Sequence, residues 1–349
     1  MRILVTGGAG FIGSHLVDAL VVGGHEVRVL DDLSSGTRTN LARHLQAPTG
    51  RRSLELIEGD VRDQSIVHEA TGGCDAVFHA AAIVSVARSV EEPELVESVN
   101  AGGTLTVLEA ARAAGARRLV LASSCAVYGD PATLPVAEDA ATEPLSPYAA
   151  SKLAAEGHCR RAAAAGDLET VCLRYFNVYG PRQDPSSQYS GVIARFIDGV
   201  LAGRPLTIYG AGTQTRDFVF VGDVVRANVL ALTGGGRDEA EVSDTGKAEE
   251  ANEPGSAAES ERLHTNGRPL NVGSGVATSI AEIADLVVRL AGSEVPVRHE
   301  APRGGDILYS QADTARCAAL LGFRAEVGFA DGLARTVSSY QRSGRDPQR

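Results

Sequence analysis

The sequence predicts an α/β fold, a doubly wound parallel sheet with a smaller C-terminal domain beside it. Short apolar runs alternate with segments of helical periodicity through the first half of the chain, which is typical of successive βαβ units. The first run, residues 3–5, leads directly into a glycine-rich turn and then into a helix. A strand, a glycine turn and a helix in this order are typical of a dinucleotide-binding sheet.

Composition and charge exclude several classes of protein. The 349 residues suit one large domain or two fused ones, and no apolar run approaches the length of a membrane span. The first strand begins at once, which leaves no room for a signal peptide. Five scattered cysteines without metal-ligand spacing indicate reduced thiols and a cytoplasmic location, with no metal site. Residues 234–267 hold nine acidic and three basic residues, over half of the net charge of −11. The remaining body is mildly acidic, which argues against nucleic acid as a partner.

The N-terminal glycine turn predicts a phosphate site. Its glycines allow a tight turn and let backbone N–H groups at a helix N-terminus approach a pyrophosphate. The residues assigned to this site are Gly7, Gly10, Phe11, Ile12 and Gly13. The next strand, residues 26–30, ends in Asp31 and Asp32. A carboxylate there accepts hydrogen bonds from an adenosine ribose and repels a 2′-phosphate, so the sequence favours NAD over NADP.

Later strands add further cofactor positions. Strand 54–58 precedes Asp60, expected at the adenine amino group, and Val61, expected against the ring. Strand 74–79 runs into small residues that let a dinucleotide lie close to the backbone: Ala80, Ala81 and Ala82. A long helix over residues 94–114 carries Asn100. We assign the remaining cofactor contacts to Ser35, Gly36, Asn100, Ser123 and Val178.

The most specific signal is Tyr148 followed four residues later by Lys152. Ser146 suits an N-cap and Pro147 the first helical residue, so a helix places Tyr148 and Lys152 on one face near its positive end. The chain has 31 arginines and only two lysines, Lys152 and Lys247, which suggests that a compact ammonium is needed here. The ammonium and the helix dipole are expected to lower the pKa of Tyr148 and make it a general base for an alcohol.

A serine at the end of the fifth strand, residues 118–122, completes the predicted catalytic set. The carboxyl ends of parallel strands face the ligand crevice, and strand alternation allows only one of two adjacent serines to point into it. We favour Ser124 over Ser123 as the residue that hydrogen-bonds the substrate oxygen.

Together these motifs resemble the extended short-chain dehydrogenase/reductase family, and within it the UDP-hexose 4-epimerases. The resemblance covers residues 1–340 apart from the acidic segment, and residues 173–185 carry its most specific piece. It implies that Tyr148 removes the proton of a sugar C4 hydroxyl, that Lys152 binds the nicotinamide ribose, and that NAD is recycled in place. It also implies a homodimer that pairs helices 94–114 and 147–165, with Tyr175 near the nicotinamide.

The resemblance assigns the second half of the chain to the nucleotide sugar. A Rossmann domain over 1–174, with 216–232 returning to it, would be capped by 175–215 and 268–340, and 234–267 would be a disordered acidic insertion. We assign substrate contacts to Ser85, Asn177, Val192, Thr207, Tyr209, Arg216, Arg303 and Asp306. Among these, two arginines, Arg216 and Arg303, can clamp a diphosphate.

The resemblance leaves the sugar open. Dehydratases of the family carry an Asp-Glu pair after the catalytic serine, and decarboxylases carry a Glu there, whereas this chain has Cys125 and Ala126. Ser310 stands where glucose-restricted epimerases carry tyrosine, so UDP-N-acetylhexosamine is a candidate beside UDP-glucose and UDP-galactose. UDP-glucuronate is the alternative, although Asp184 replaces an arginine of the uronate enzymes, with Arg88 and Arg195 as other sources of positive charge. A non-enzymatic NAD sensor on the same fold is the remaining alternative.

Overall fold

The computed structural model describes residues 1–46, 53–185, 191–234, 265–302 and 307–343. Its strands are β1 Arg2–Thr6, β2 Glu26–Asp31, β3 Leu54–Glu58, β4 Ala76–His79, β5 Arg118–Ser124, β6 Glu169–Tyr175, β7 Asn177–Tyr179, β8 Leu206–Tyr209, β9 Thr215–Phe220, β10 Arg268–Val272, β11 Ala277–Ser279 and β12 Val297–Glu300. Its α-helices are α1 Phe11–Val22, α2 Ala42–Leu45, α3 Gln64–Thr71, α4 Val86–Glu91, α5 Pro93–Glu97, α6 Gly103–Ala113, α7 Pro147–Ala165, α8 Val192–Leu201, α9 Val221–Thr233, α10 Ile280–Ala291, α11 Ala315–Leu321 and α12 Phe329–Ser343.

A seven-stranded parallel sheet forms the centre of the molecule. Its strand order is β10-β6-β5-β4-β1-β2-β3, and the described pairings within it are parallel. The order reverses beside β1, which has β2 on one side and β4 on the other. Such a switch point opens a crevice at the carboxyl ends of the strands, where the glycine turn lies. The doubly wound fold is therefore confirmed.

Apolar side chains cover both faces of this sheet. On one face, Ile3, Val5, Leu16 and Leu20 belong to a cluster that also includes residues of α9. On the other, Leu4 and Val77 belong to a cluster that includes α6 and α7. Because strand residues alternate in direction, neighbouring residues of β1 enter opposite clusters. The near-continuous apolar strands match a sheet buried on both sides.

A smaller unit lies beside the sheet. It contains a three-stranded sheet in the order β11-β9-β7 and a parallel pair of β12 with β8. Its own apolar cluster joins α8, α10 and α12 through residues such as Ile197, Ile283 and Leu333. This arrangement places β7 and β8 where they can face the crevice of the large sheet.

The structure corrects two of the domain boundaries expected from the sequence. We assigned all of 268–340 to the cap, but β10 pairs in parallel with β6 and forms an edge of the large sheet. We also assigned 216–232 to the first domain, but β9 belongs to the small sheet, whereas α9 packs on the large one. The acidic insertion lies almost wholly in 235–264, outside the described residues. No helix in the described ranges is long and apolar enough to cross a membrane.

Candidate active site

Helix α7 begins where the sequence predicts. Ser146 has extended backbone angles, its side chain accepts a hydrogen bond from the backbone N–H of Ala149 (3.2 Å), and Pro147 is the first helical residue. Tyr148 therefore lies in the first turn, and Lys152 lies one turn later with 4% of its surface exposed. The cap and the proline fix the start of the helix and thus the position of both side chains.

The two adjacent serines at the end of β5 point in opposite directions. The Ser124 side chain lies close enough to the Tyr148 phenol to lower its pKa, and its Oγ accepts from the backbone N–H of Ala126 (3.1 Å). Ser123 is buried and its hydroxyl donates to Glu156 (2.6 Å). The Ser123 side chain thus serves the interior, so only its backbone can meet the expected cofactor.

The pKa of Tyr148 contradicts the expectation that it is lowered. Burial raises it to about 12, and the neighbouring Ser124 side chain offsets this only in part. The Lys152 ammonium, which we expect beside the phenol, donates from Nζ to the backbone oxygen of Ala122 (2.9 Å). Desolvation of the phenolate therefore outweighs the helix dipole in this structure.

Burial also acts on Lys152, whose pKa falls to about 8 because the ammonium is removed from water. The carboxylate of Glu156 opposes this shift. Lys152 in turn lowers the pKa of His79, which burial brings to about 3, so the imidazole is neutral. The site therefore holds a neutral tyrosine and histidine around a lysine that titrates close to physiological pH.

The glycine turn has the shape that a pyrophosphate requires. Gly7 has φ of +70°, and a Cβ on Gly13 would stand 2.2 Å from the Gly7 carbonyl oxygen, so both must be glycine for the turn to close. Gly10 caps α1 without any side-chain hydrogen bond, and the first turn holds no acidic residue. The N-terminal N–H groups of α1 thus remain available to an anion, and the positions of Phe11 and Ile12 in the first turn agree with this. The residues present fit a dinucleotide.

Asp31 lies at the end of β2 beside this turn. Its carboxylate accepts from the backbone N–H groups of Ala9 and Leu33, both at 2.9 Å, and burial raises its pKa. These bonds fix the carboxylate and leave each oxygen a lone pair for a ribose hydroxyl. Asp32 accepts from Ser34 and closes a local turn, while Ser35 is exposed and Gly36 packs closely on Ala9.

Two predicted adenine contacts are engaged within the protein. The Asp60 carboxylate forms a fork with the Arg62 guanidinium at 2.5–3.0 Å, which lowers its pKa. Val61 is buried and packs against Gly103, where an added Cβ would lie 2.7 Å from its methyl group. The small residues after β4, which we expect to let a dinucleotide lie close to the backbone, also make a contact within the protein. The Ala80–Ala81 backbone packs directly on Gly7.

Asn100 has a structural role that the sequence analysis missed. It lies in a π-helical turn, Ser98–Gly102, between α5 and α6. Its Oδ1 accepts from Ile83 N (2.8 Å), and its Nδ2 donates to Ile83 O (3.1 Å) and Ser151 Oγ (2.9 Å). Both amide hydrogens are used, so this side chain locks the segment after β4 to α7 instead of donating to a cofactor. Irregular turns of this kind often lie at functional sites.

A cavity of about 450 Å³ lies in the smaller unit, lined by residues of β7, α8, β8 and β9. Six of the predicted positions line it: Asn177, Val178, Val192, Thr207, Tyr209 and Arg216. Thr207 and Tyr209 alternate with the buried Leu206 and Ile208, as strand geometry requires. Arg195 and Arg204 also line it, so it presents three arginines, which suits an anionic ligand.

Two other predicted positions have hydrogen-bond partners within the protein. Tyr175 pairs in register with Ser124, but its hydroxyl is buried and donates to Asn228 (2.7 Å). Ser85 caps α4 by accepting from Arg88 N (2.9 Å). Arg303 and Asp306 lie outside the described residues. Within the ranges that the structure does describe, no group of three His, Cys, Asp or Glu residues is arranged to hold a metal ion.

Asp217 is a further residue that the sequence analysis did not identify as functional. It is fully buried, and its carboxylate accepts four hydrogen bonds: from Ser274 N and Oγ (both 2.7 Å), Gly275 N (2.9 Å) and Ala312 N (3.0 Å). Its backbone oxygen accepts from Asn177 Nδ2 (2.9 Å). One carboxylate thus ties β9 to the loop after β10 and to the segment that carries Ser310.

Comparisons with known proteins agree with this geometry. A model of the NAD dependent epimerase/dehydratase family matches residues 3–242. A UDP-glucose 4-epimerase of Mycolicibacterium smegmatis is 38% identical over 343 residues, which cover 98% of this chain and 99% of that protein.

Solved structures show the same fold over almost the whole chain. A UDP-glucose 4-epimerase of Thermotoga maritima with UDP-glucose is similar with a TM-score of 0.84 and 33% identity, and the match covers 99% of this chain and 100% of that one. A protein named MoeE5, solved in complex with UDP-glucuronic acid and NAD, has a TM-score of 0.78 and 35% identity, with 98% and 100% covered.

Proposed function

Because the chain belongs to the NAD dependent epimerase/dehydratase family, we propose that it is a UDP-hexose 4-epimerase that inverts C4 through a 4-keto intermediate. The observation that carries this proposal is that Ser124 lies beside the Tyr148 phenol and lowers its pKa, with Lys152 one turn away and no acid at positions 125 and 126. Simple removal and return of a hydride needs a base and an oxygen-binding donor, which this set supplies. Elimination of water needs a further acid, which these positions lack.

The chain's own residues handle the proton and the sugar oxygen. Tyr148 accepts the proton of the C4 hydroxyl while Ser124 donates to the same oxygen and holds it in line. When bound, oxidised NAD supplies a cationic hydride acceptor, and this second positive charge together with Lys152 favours the phenolate. Gly7, Gly10 and Asp31 would hold that cofactor throughout, so it is retained between turnovers. Tyr148 returns the proton after the keto sugar has turned over.

The residues that line the cavity suit binding of the nucleotide part of the substrate more than binding of its sugar. Thr207 and Tyr209 present a polar edge and a ring to a base, and Arg216 brings a charge toward the diphosphate. Arg216 also lies close enough to Cys125 to affect the pKa of its thiol. A nucleotide whose diphosphate meets Arg216 would therefore extend its sugar toward Tyr148.

We favour UDP-glucose and UDP-galactose as substrates, with the UDP-N-acetylhexosamines as further candidates because Ser310 leaves room. UDP-glucuronate is the second candidate, and the observation that favours it is Arg195 on the cavity wall together with the likeness to MoeE5. We also propose a homodimer through the α6 and α7 faces, where Leu105 is exposed, and a reducing cytoplasmic setting, since all five cysteines are unpaired.

The test is an assay of purified protein without added NAD. UDP-glucose, UDP-N-acetylglucosamine and UDP-glucuronate are supplied separately, and each product is resolved from its C4 epimer by chromatography. We expect turnover of UDP-glucose by the wild type and none by Tyr148→Phe. An active Tyr148→Phe variant, or a wild type that stays inactive when NAD is supplied, would contradict the proposal and favour an NAD-binding protein without this activity.

A further inference from the structure

A buried ion pair lies directly behind the catalytic residues. Glu156 follows Lys152 by one turn of α7, and its carboxylate accepts from Arg174 Nε (2.9 Å) and Nη2 (2.7 Å). The Glu156 and Arg174 side chains are only 2% and 3% exposed. Glu156 also accepts the hydroxyl hydrogen of Ser123 at 2.6 Å. One carboxylate therefore joins α7, the end of β5 and the end of β6.

Stability alone is a weak reason for such a pair. Removing two charges from water costs several kcal/mol per ion, and apolar residues of similar size often replace buried pairs without loss. The pair lies at the ends of the strands that carry the site, since Ser123 precedes Ser124, and Arg174 precedes the residue that pairs with Ser124. Its position therefore suits a role in fixing the geometry and the charge of the catalytic centre.

The charges of the titratable groups in and next to the catalytic centre explain what the pair contributes. His79 from β4 and Tyr148 from α7 are neutral, because burial lowers the pKa of the first and raises that of the second. Burial also raises the pKa values of the Cys125 thiol after β5 and the Cys172 thiol on β6, so both stay uncharged. Arg174 on β6 is cationic. Glu156 is thus the anion that opposes the loss of the Lys152 proton.

We propose that Glu156 and Arg174 act as positioning residues that keep Lys152 protonated while holding Ser124 in place for Tyr148. This inference rests on the proposed function, because it concerns the same site. Removing Glu156 alone leaves the Arg174 cation uncompensated near Lys152 and favours the neutral amine. Removing Arg174 alone leaves the Glu156 anion and favours the ammonium. Removing both charges should leave the balance between the Lys152 amine and ammonium between those of the two single variants.

The chain allows a direct test because it contains only two lysines, Lys152 and Lys247. Protein labelled at the lysine side chain is titrated by NMR, Lys152→Arg assigns the two signals, and Lys247 serves as an internal reference. The variants are Glu156→Gln, Arg174→Gln and the double variant. The matched control is Glu169→Gln, which breaks the pair of Arg118 with Glu169 (2.6 Å) at the opposite end of the same two strands.

We expect the Lys152 midpoint to fall by at least about one pH unit in Glu156→Gln, the size of effect that a charge about 6 Å away produces. It should rise in Arg174→Gln, lie between these values in the double variant, and stay unchanged in Glu169→Gln. If either single variant fails to fold, the other still decides the direction. A midpoint that is unchanged in the folded variants would overturn the proposal. The titration uses neither sugar nor activity, so its failure is distinguishable from failure of the proposed function.

Discussion

Replacing Asp217 with asparagine is expected to weaken substrate binding more than it weakens cofactor binding. The carboxylate accepts two bonds from Ser274 on one oxygen and bonds from Gly275 and Ala312 on the other. An asparagine can keep the second set with its carbonyl oxygen, and its NH₂ group then faces Ser274. The Ser274 hydroxyl can turn to accept from that group, but the backbone N–H cannot.

The structure thus predicts the loss of one charge-assisted hydrogen bond and the weakening of three others. Hydrogen bonds to a charged group contribute roughly 1.5–3 kcal/mol each, so we estimate a cost of about 2–4 kcal/mol. We expect this cost to fall on the two segments that Asp217 joins, around Gly275 and Ala312, and the second of these carries Ser310, which we propose faces the sugar. Since about 1.4 kcal/mol corresponds to a tenfold change in affinity, the KM for the sugar nucleotide should rise between about thirtyfold and several hundredfold.

Steady-state kinetics with UDP-glucose and NAD content after purification test this prediction. The matched control is Asp313→Asn, the residue directly after Ala312, where the carboxylate accepts a solvent-exposed hydrogen bond from Ala315 N (2.8 Å). We expect Asp217→Asn to raise KM strongly, to retain NAD, and to unfold at a lower temperature than the control. Unchanged KM and unfolding temperature in Asp217→Asn would refute the conclusion that this carboxylate holds β9 to the segments around Gly275 and Ala312.

Three further predictions concern the cofactor turn, the lysine and the sugar pocket. Gly13→Ala should abolish NAD retention, because its Cβ would meet the Gly7 carbonyl oxygen at 2.2 Å. Retention is measured as the absorbance of the cofactor released from purified protein. The control Gly328→Ala, whose Cβ would have no atom within 4 Å, should retain NAD. The pKa of Lys152 is lowered to about 8, so kcat should fall as pH rises through about 8 and the ammonium is lost; a constant kcat up to pH 10 would contradict this. Ser310→Tyr should lower kcat/KM for UDP-N-acetylglucosamine by roughly tenfold or more relative to kcat/KM for UDP-glucose. An unchanged ratio of the two kcat/KM values would show that Ser310 does not face the sugar.

Local signals allowed much of the fold to be predicted. The cap at Ser146 and the proline after it determine the start of α7 through contacts within four residues, and the structure confirms them. The apolar strands were found because parallel strands buried on both faces are continuous in sequence. Strand alternation correctly separated Ser123 from Ser124, since their side chains must leave the strand in opposite directions.

The rest depends on contacts between distant parts of the chain. Nothing local shows that β10 returns to pair with β6, nearly 100 residues earlier. The same applies to Asp217, whose partners lie 57–95 residues away. The pKa of Tyr148 was predicted in the wrong direction because the helix dipole and Lys152 are visible in the sequence and desolvation of the phenol is not. Site roles that need a bound ligand, such as those of Arg216 and Asp31, stay predictions.

The central claim is that hydride leaves C4 of the sugar and returns to the same carbon. The most direct measurement uses UDP-glucose labelled with deuterium at C4, incubated with the purified protein in ordinary water without added NAD. Proton and deuterium NMR of the epimerised product then report the label. The account predicts UDP-galactose with deuterium retained at C4. UDP-galactose that carries hydrogen instead of deuterium at C4, which means that the label was lost to solvent, would contradict it.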